Sequence, residues 1–170
     1  MKTRTFPVPL HAASKPKPRK ASPAQQLKAA FPAFVEYQRL HWDGLTIVLP
    51  LAPQMGNFRG HWTVKESARQ AYFGHCRMID ALRLLPPRPA PVPAMSVITV
   101  TVYVKRLHDL DNLTARLKYS LDALERDGYI KSDSPKHLQY SAMPTQALCL
   151  KTPPRVEVTI EPASGGGGWA

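Results

Sequence analysis

The sequence predicts an α+β protein (α/β in the broad sense), a small mixed β-sheet with two main helices packed on one face. Three observations predict it. The segment "MSVITVTVYV" (95–104) alternates strictly, with Ile98, Val100, Val102 and Val104 on one face and Thr99, Thr101 and Tyr103 on the other. A helical pattern lies on either side of it, over 63–85 and 112–127. A last run, "RVEVTIE" (155–161), alternates again.

The elements follow in order. "DGLTIVLPL" (43–51) is a short apolar run closed by Pro50 and Pro53, hence a strand followed by a loop, "APQMGNFRGHW". "TVKESARQAYFGHCRMIDALRLL" opens on a capping box of Thr63 and Glu66 and stops before Pro86-Pro87, which predicts a helix. The second helix carries leucines at 113, 117, 121 and 124, a core-facing stripe, and Gly128 stops it. "YIKSDSPKHLQ" reads as a loop with at most a short extended piece.

At 170 residues the chain has the length of one domain. Its division is a basic, largely flexible arm (1–42), a folded domain (43–161) and a Gly-rich tail (162–170). The arm is best marked over 1–28, which hold seven Lys or Arg and no acid around "SKPKPRKASP". It suits salt-sensitive attraction to phosphates or is a plain tail. Cys76 and Cys149 show neither a disulfide framework nor metal-ligand spacing. No secretory h-region is present and the longest apolar run is too short to span a bilayer. The expectation is a cytoplasmic protein with no membrane partner.

Lys and Arg number 23 against 12 acids, a formal charge of +11. Such a balance points to a polyanionic partner, nucleic acid first. Against it, six of the twelve acids crowd into 109–133: Asp109, Asp111, Asp122, Glu125, Asp127 and Asp133. Close carboxylates raise one another's pKa unless a cation neutralises them, and Mg2+ takes one or two carboxylates together with phosphate and water. If the central strand runs on through "HDLDNL" (108–113), alternation sets Asp109 and Asp111 side by side at its carboxyl end. Asn112 or Asp111 would then cap the next helix. At 100° per residue Lys118 falls within about 20° of Asp111 and on the order of 10 Å further along, where it suits a phosphate contact. The plain alternative is that D-x-D-N is capping chemistry favouring the helix dipole.

The run "DLDNLTARLKYSLDALERDGYIKSDS" (109–134) resembles the RusA-type Holliday junction resolvases, common in phages and prophages. It shares the D-L-D-N-L opening, a helix ending in L-D-A-L, a Gly-aromatic step and an acid five residues after that glycine. A weaker likeness extends over roughly 44–161. The resemblance implies that Asp109, Asp111 and Asp133 are metal-binding, catalytic carboxylates and that Lys118 is the catalytic lysine. The helix has three extra residues before L-D-A-L, and Ala115 stands four residues after the second aspartate, so Arg116 competes with Lys118 for that part. Ser132 stands where the family often has a further aspartate. The implied activity is an Mg2+-dependent (Mn2+ substituting) crossover junction endodeoxyribonuclease in DNA recombination and repair. It would act as a homodimer on branched DNA, a four-way junction above all.

Candidate DNA contacts are Lys105 and Arg106 beside the aspartates, Arg116, and Asn57, Arg59, His61 and Lys65 in "GNFRGHWTVK", where cations interleave with Phe58 and Trp62. Packing of the two aromatics under the first helix is the competing reading. His108 is a simple polar strand-end histidine, a phosphate contact or a general base, and Lys136 and His137 are lesser candidates for phosphate contact. Two other functions compete with this one. A non-catalytic basic nucleic-acid-binding protein would use the acids only as caps. A D-x-D metal-nucleotide transferase is disfavoured by the basic charge and the lack of a Gly-rich phosphate loop.

Overall fold

The computed structural model describes residues 21–53 and 61–163. Its α+β fold comprises α1 (Pro23–His41), β1 (Ile47–Pro50), α2 (Trp62–Ala81), β2 (Ser96–Val104), α3 (Leu110–Arg126), β3 (Leu138–Tyr140), β4 (Thr145–Leu148) and β5 (Arg155–Pro162). The sheet order is β1-β5-β2-β3, with β4 pairing the far end of β2. β5 runs antiparallel to both β1 and β2, whereas β3 and β4 lie parallel to β2 on its other edge. The sheet is therefore mixed, as the sequence predicts.

β2 is central because both its faces are specified. Ile98, Val100, Val102 and Val104 are buried in a single core with Tyr72, Cys76 and Ile79 of α2 and Leu113, Leu117, Leu121 and Leu124 of α3. Thr99 and Thr101, on the opposite face, join their hydroxyls to Ser141 and Thr145 of the parallel edge at 2.6 and 3.2 Å. Tyr103 lies beneath the Arg155 guanidinium, 3.6 Å from ring centroid to Cζ. Between α2 and α3 a buried hydroxyl pair, Tyr72 and Ser120 at 2.9 Å, satisfies two polar groups inside the core. Cys76 packs there as a small apolar group, and burial pushes its thiol up to about 12.

α1 corrects the sequence reading, which assigned 1–42 to a flexible arm and counted two helices. Ser22 and Gln25 form a reciprocal capping box and Pro23 takes the first helical position. Leu27, Phe31 and Phe34 are buried at helical spacing. Gln38, also buried, donates to the carbonyl of Val48 at 3.2 Å and to that of Leu84. The folded unit thus includes 23–41 and does not begin at 43. Pro32 inside the helix disguises it in sequence, since proline removes one helical donor. The part of the arm over 1–20 and the tail over 164–170 lie outside the described residues.

Other boundaries shift as well. β1 occupies only 47–50 of the expected 43–51, and α2 spans 62–81. The N-cap of α2 is His61, not Thr63, while Glu66 pairs with Arg69 at 2.9 Å and accepts from Gln70 at 2.6 Å. The short extended piece near 129–139 is β3, and β4 adds a strand that the sequence does not announce. Gly128, at φ +78°, ends α3 as expected: Tyr129 N–H bonds back to the Leu124 carbonyl at 2.9 Å.

Candidate active site

The expectation that β2 continues through Asp111 is overturned. β2 stops at Val104, and residues 105–109 form a loop that turns into α3. Asp109 is the N-cap, extended in backbone, its Oδ1 accepting from Asn112 N–H at 2.9 Å. Asp111 lies one residue inside the helix, in the first turn. The two carboxylates are therefore neighbours by virtue of a helix start, not by strand alternation. Both are exposed. One strap from β4 fixes this loop: Gln146 Nε2 donates to the His108 carbonyl at 2.9 Å, and its Oε1 accepts from His108 N–H at 3.0 Å. Gln146 carries no signal in sequence, because its role depends on strand pairing.

Lys118 lies two turns beyond Asp111 on the same side of α3. Its ammonium is ion-paired with Asp133 and with Asp122, the latter at 2.9 Å. Asp133 first and Asp122 second hold the Lys118 pKa above the ordinary lysine range. Glu125 completes the group by accepting from Asp133 N–H at 3.2 Å. Asp122 was legible as an i,i+4 partner of Lys118; the link to Asp133 was not. Asp133 thus joins Lys118, and among the described residues no three His, Cys, Asp or Glu side chains are grouped closely enough to hold a metal ion. The implied triad of Asp109, Asp111 and Asp133 is not assembled in this arrangement. Of that triad, Asp109 and Asp111 offer exposed hard-oxygen donors of the kind Mg2+ accepts alongside phosphate and water.

The expected DNA-contacting cations divide. Lys105 is taken up structurally: its Nζ donates to the carbonyls of Cys149, Leu150 and Thr152 at 2.8, 3.0 and 2.9 Å. With all three ammonium donors engaged, it closes the loop after β4 and is no free phosphate contact. His61 caps α2, accepting from Thr63 N–H at 3.4 Å. Lys65 is half-buried on the first turn of α2, next to Trp62, which is 68% exposed; packing of Trp62 beneath the helix is thereby corrected. Asn57, Arg59 and Phe58 lie outside the described residues. His137 Nδ1 is bonded to the Ala94 carbonyl at 2.7 Å, and Lys136 is exposed.

Arg106 and Arg116 come together instead at a cleft of about 490 Å3. Burial first, and then the charge of Arg106, lower the pKa of Arg116, whose buried Nε has no hydrogen-bond partner among the described residues. His108 connects this cleft to Asp109: burial, then Arg116 and Arg106, push its pKa down, and Asp109 pushes it up.

Compared with protein-family models and with curated proteins, the chain finds no match.

Proposed function

We propose that the chain is a metal-dependent endonuclease that hydrolyses phosphodiesters in Holliday junctions or other branched DNA, working as a homodimer in the cytoplasm of a bacterial or phage-infected cell. The observation that carries this reading is the polar side of α3. Asp109 and Asp111 stand exposed at its first turn, and Lys118, on the same side, anchors Asp133. An acidic helix start in a chain of charge +11 brings a cation-binding pair next to a surface that attracts phosphate.

Asp109 and Asp111 would hold Mg2+, or Mn2+ in its place. Bound there, the cation would supply Lewis-acid polarisation of the scissile phosphate and acidify an attacking water. Asp109 also fixes the entry of α3 through its cap bond, which orients the pair. Lys118 keeps one N–H beyond its bonds to Asp122 and Asp133, which would stabilise charge developing on a phosphate oxygen. Arg106 holds flanking phosphate. A C2 dimer matches the near two-fold symmetry of a four-way junction.

Two observations favour a second reading, a non-catalytic nucleic-acid-binding protein: Asp109 serves as a helix cap, and Asp133 is neutralised by Lys118. The deciding experiment uses a synthetic mobile four-way junction labelled on each strand in turn, with linear duplex as control. Wild type and Asp111→Asn are compared in Mg2+, Mn2+ and EDTA. Paired symmetrical nicks that need metal and vanish in the variant, while junction binding persists, support the nuclease. Binding without cleavage in either metal transfers the chain to the second reading.

A further inference from the structure

The cleft of about 490 Å3 opens between α1 and the β2–α3 loop, within the roughly 300–1,000 Å3 range of small-ligand sites. Its floor is apolar, made by Leu27, Phe31 and Phe34 of α1, and proline rings, Pro23 and Pro154 among them, form its walls. Among the described residues, Arg106 and Arg116 are its only charged lining groups and no acid lines it. Neither guanidinium has an ion pair or hydrogen bond among the described residues. Two like charges held together, one with a buried unsatisfied Nε, are costly without an anion between them.

We propose that this cleft binds one unpaired deoxynucleotide of a branched DNA, its base against the α1 floor and the proline walls, its phosphate on Arg106 and Arg116. The proposal rests on the nucleic-acid reading above and adds a subsite to it. An anion alone would not need the apolar floor, and an apolar segment would not need two free arginines. A nucleotide has both halves. A base inside a duplex stack cannot enter a side cleft, so the base must be one already out of the stack, as branch points provide, and apolar side chains hold such splayed bases by stacking. Arg106 precedes Asp109 by three residues in the same loop, so an occupant of the cleft would register the neighbouring phosphodiester on the aspartates.

The test uses the full chain in EDTA, where no cleavage occurs. Fluorescence anisotropy compares binding of hexathymidylate with that of an abasic phosphodiester of equal length. Wild type is expected to prefer the base-bearing oligomer by about ten-fold. Ala30→Trp, from an exposed position on the cleft rim, is expected to abolish that preference and leave the abasic affinity unchanged; Gln26→Trp, also exposed on the rim, is the second plugging variant. Arg106→Gln should weaken both oligomers and lower the slope of log affinity against log salt by about 0.7. Equal affinities in wild type, a preference that survives both plugs, or displacement by inorganic phosphate with no base effect would overturn the proposal. Junction cleavage is scored separately in Mg2+: base preference without cleavage sinks the nuclease reading alone, and cleavage without base preference sinks the cleft alone.

Discussion

Lys118 in the middle of α3 is ion-paired with Asp133, fifteen residues further along the chain. The pair ties the segment after Gly128 back onto the helix and brings a third acid to the side that carries Asp111. Its side chains are 58% and 25% exposed, so its energetic weight is that of a solvent-screened bridge and its functional weight depends on charge placement.

Replacing Lys118 with Met should therefore lower stability by only about 0.5 kcal/mol but reduce junction cleavage on the order of 100-fold. Because the folded-state pKa of Lys118 is raised, its contribution is complete below the unfolded lysine value of about 10.4. It fades as pH climbs through the higher folded value. Melting temperatures of wild type and variant should differ by a constant amount from neutral pH to about 10 and converge above it. A difference that grows with alkalinity would contradict the ion pair.

Asp109 has two duties that substitution separates. Asparagine caps a helix about as well as aspartate, so Asp109→Asn should keep the wild-type urea midpoint and lose metal-dependent cleavage. Asp109→Ala should lose both, with a stability cost of about 1 kcal/mol. Equal cleavage by wild type and the Asn variant would leave Asp109 as a cap alone.

Lys105 should behave as a structural residue. Its removal in Lys105→Met frees three carbonyls near the surface and should cost about 1 kcal/mol. The salt dependence of DNA binding should stay that of wild type, whereas loss of a true phosphate contact would reduce the slope by roughly 0.9 on duplex. Salt titration of duplex binding decides between the two.

Within the core, Ser120→Ala leaves the buried Tyr72 hydroxyl with only the weak Cys76 thiol as a partner, at a cost of about 1–3 kcal/mol. The double variant Tyr72→Phe/Ser120→Ala should recover most of that loss, since both polar groups are gone. A double-mutant cycle by chemical denaturation measures the coupling.

Much of this architecture was legible because it rests on local rules. The leucine stripe of α3, the alternation of β2 and β5 and the stop at Gly128 follow from the period of the backbone and from one positive φ. α1 was legible in part: Ser22, Pro23 and Gln25 announce a helix start, and Leu27, Phe31 and Phe34 continue it. The basic, proline-rich run before them and Pro32 within obscured it. Whether an amphipathic stretch folds depends on the face it finds to cover, which here the core supplies.

The sequence by itself determined the mixed α+β class, the order of the central strand and helices, and the clustering of acids near Asp111 in a basic chain. Only the tertiary structure decided where each charge went. Lys105 turned inward to three carbonyls because β4 pairs beside β2, Asp133 went to Lys118 because the chain reverses after Gly128, and Arg106 met Arg116 over the apolar floor of α1. Periodicity is a property of neighbouring residues and can be read along the chain. The partner of a charged side chain is set by strand pairing and loop reversal across tens of residues, and no local pattern encodes it.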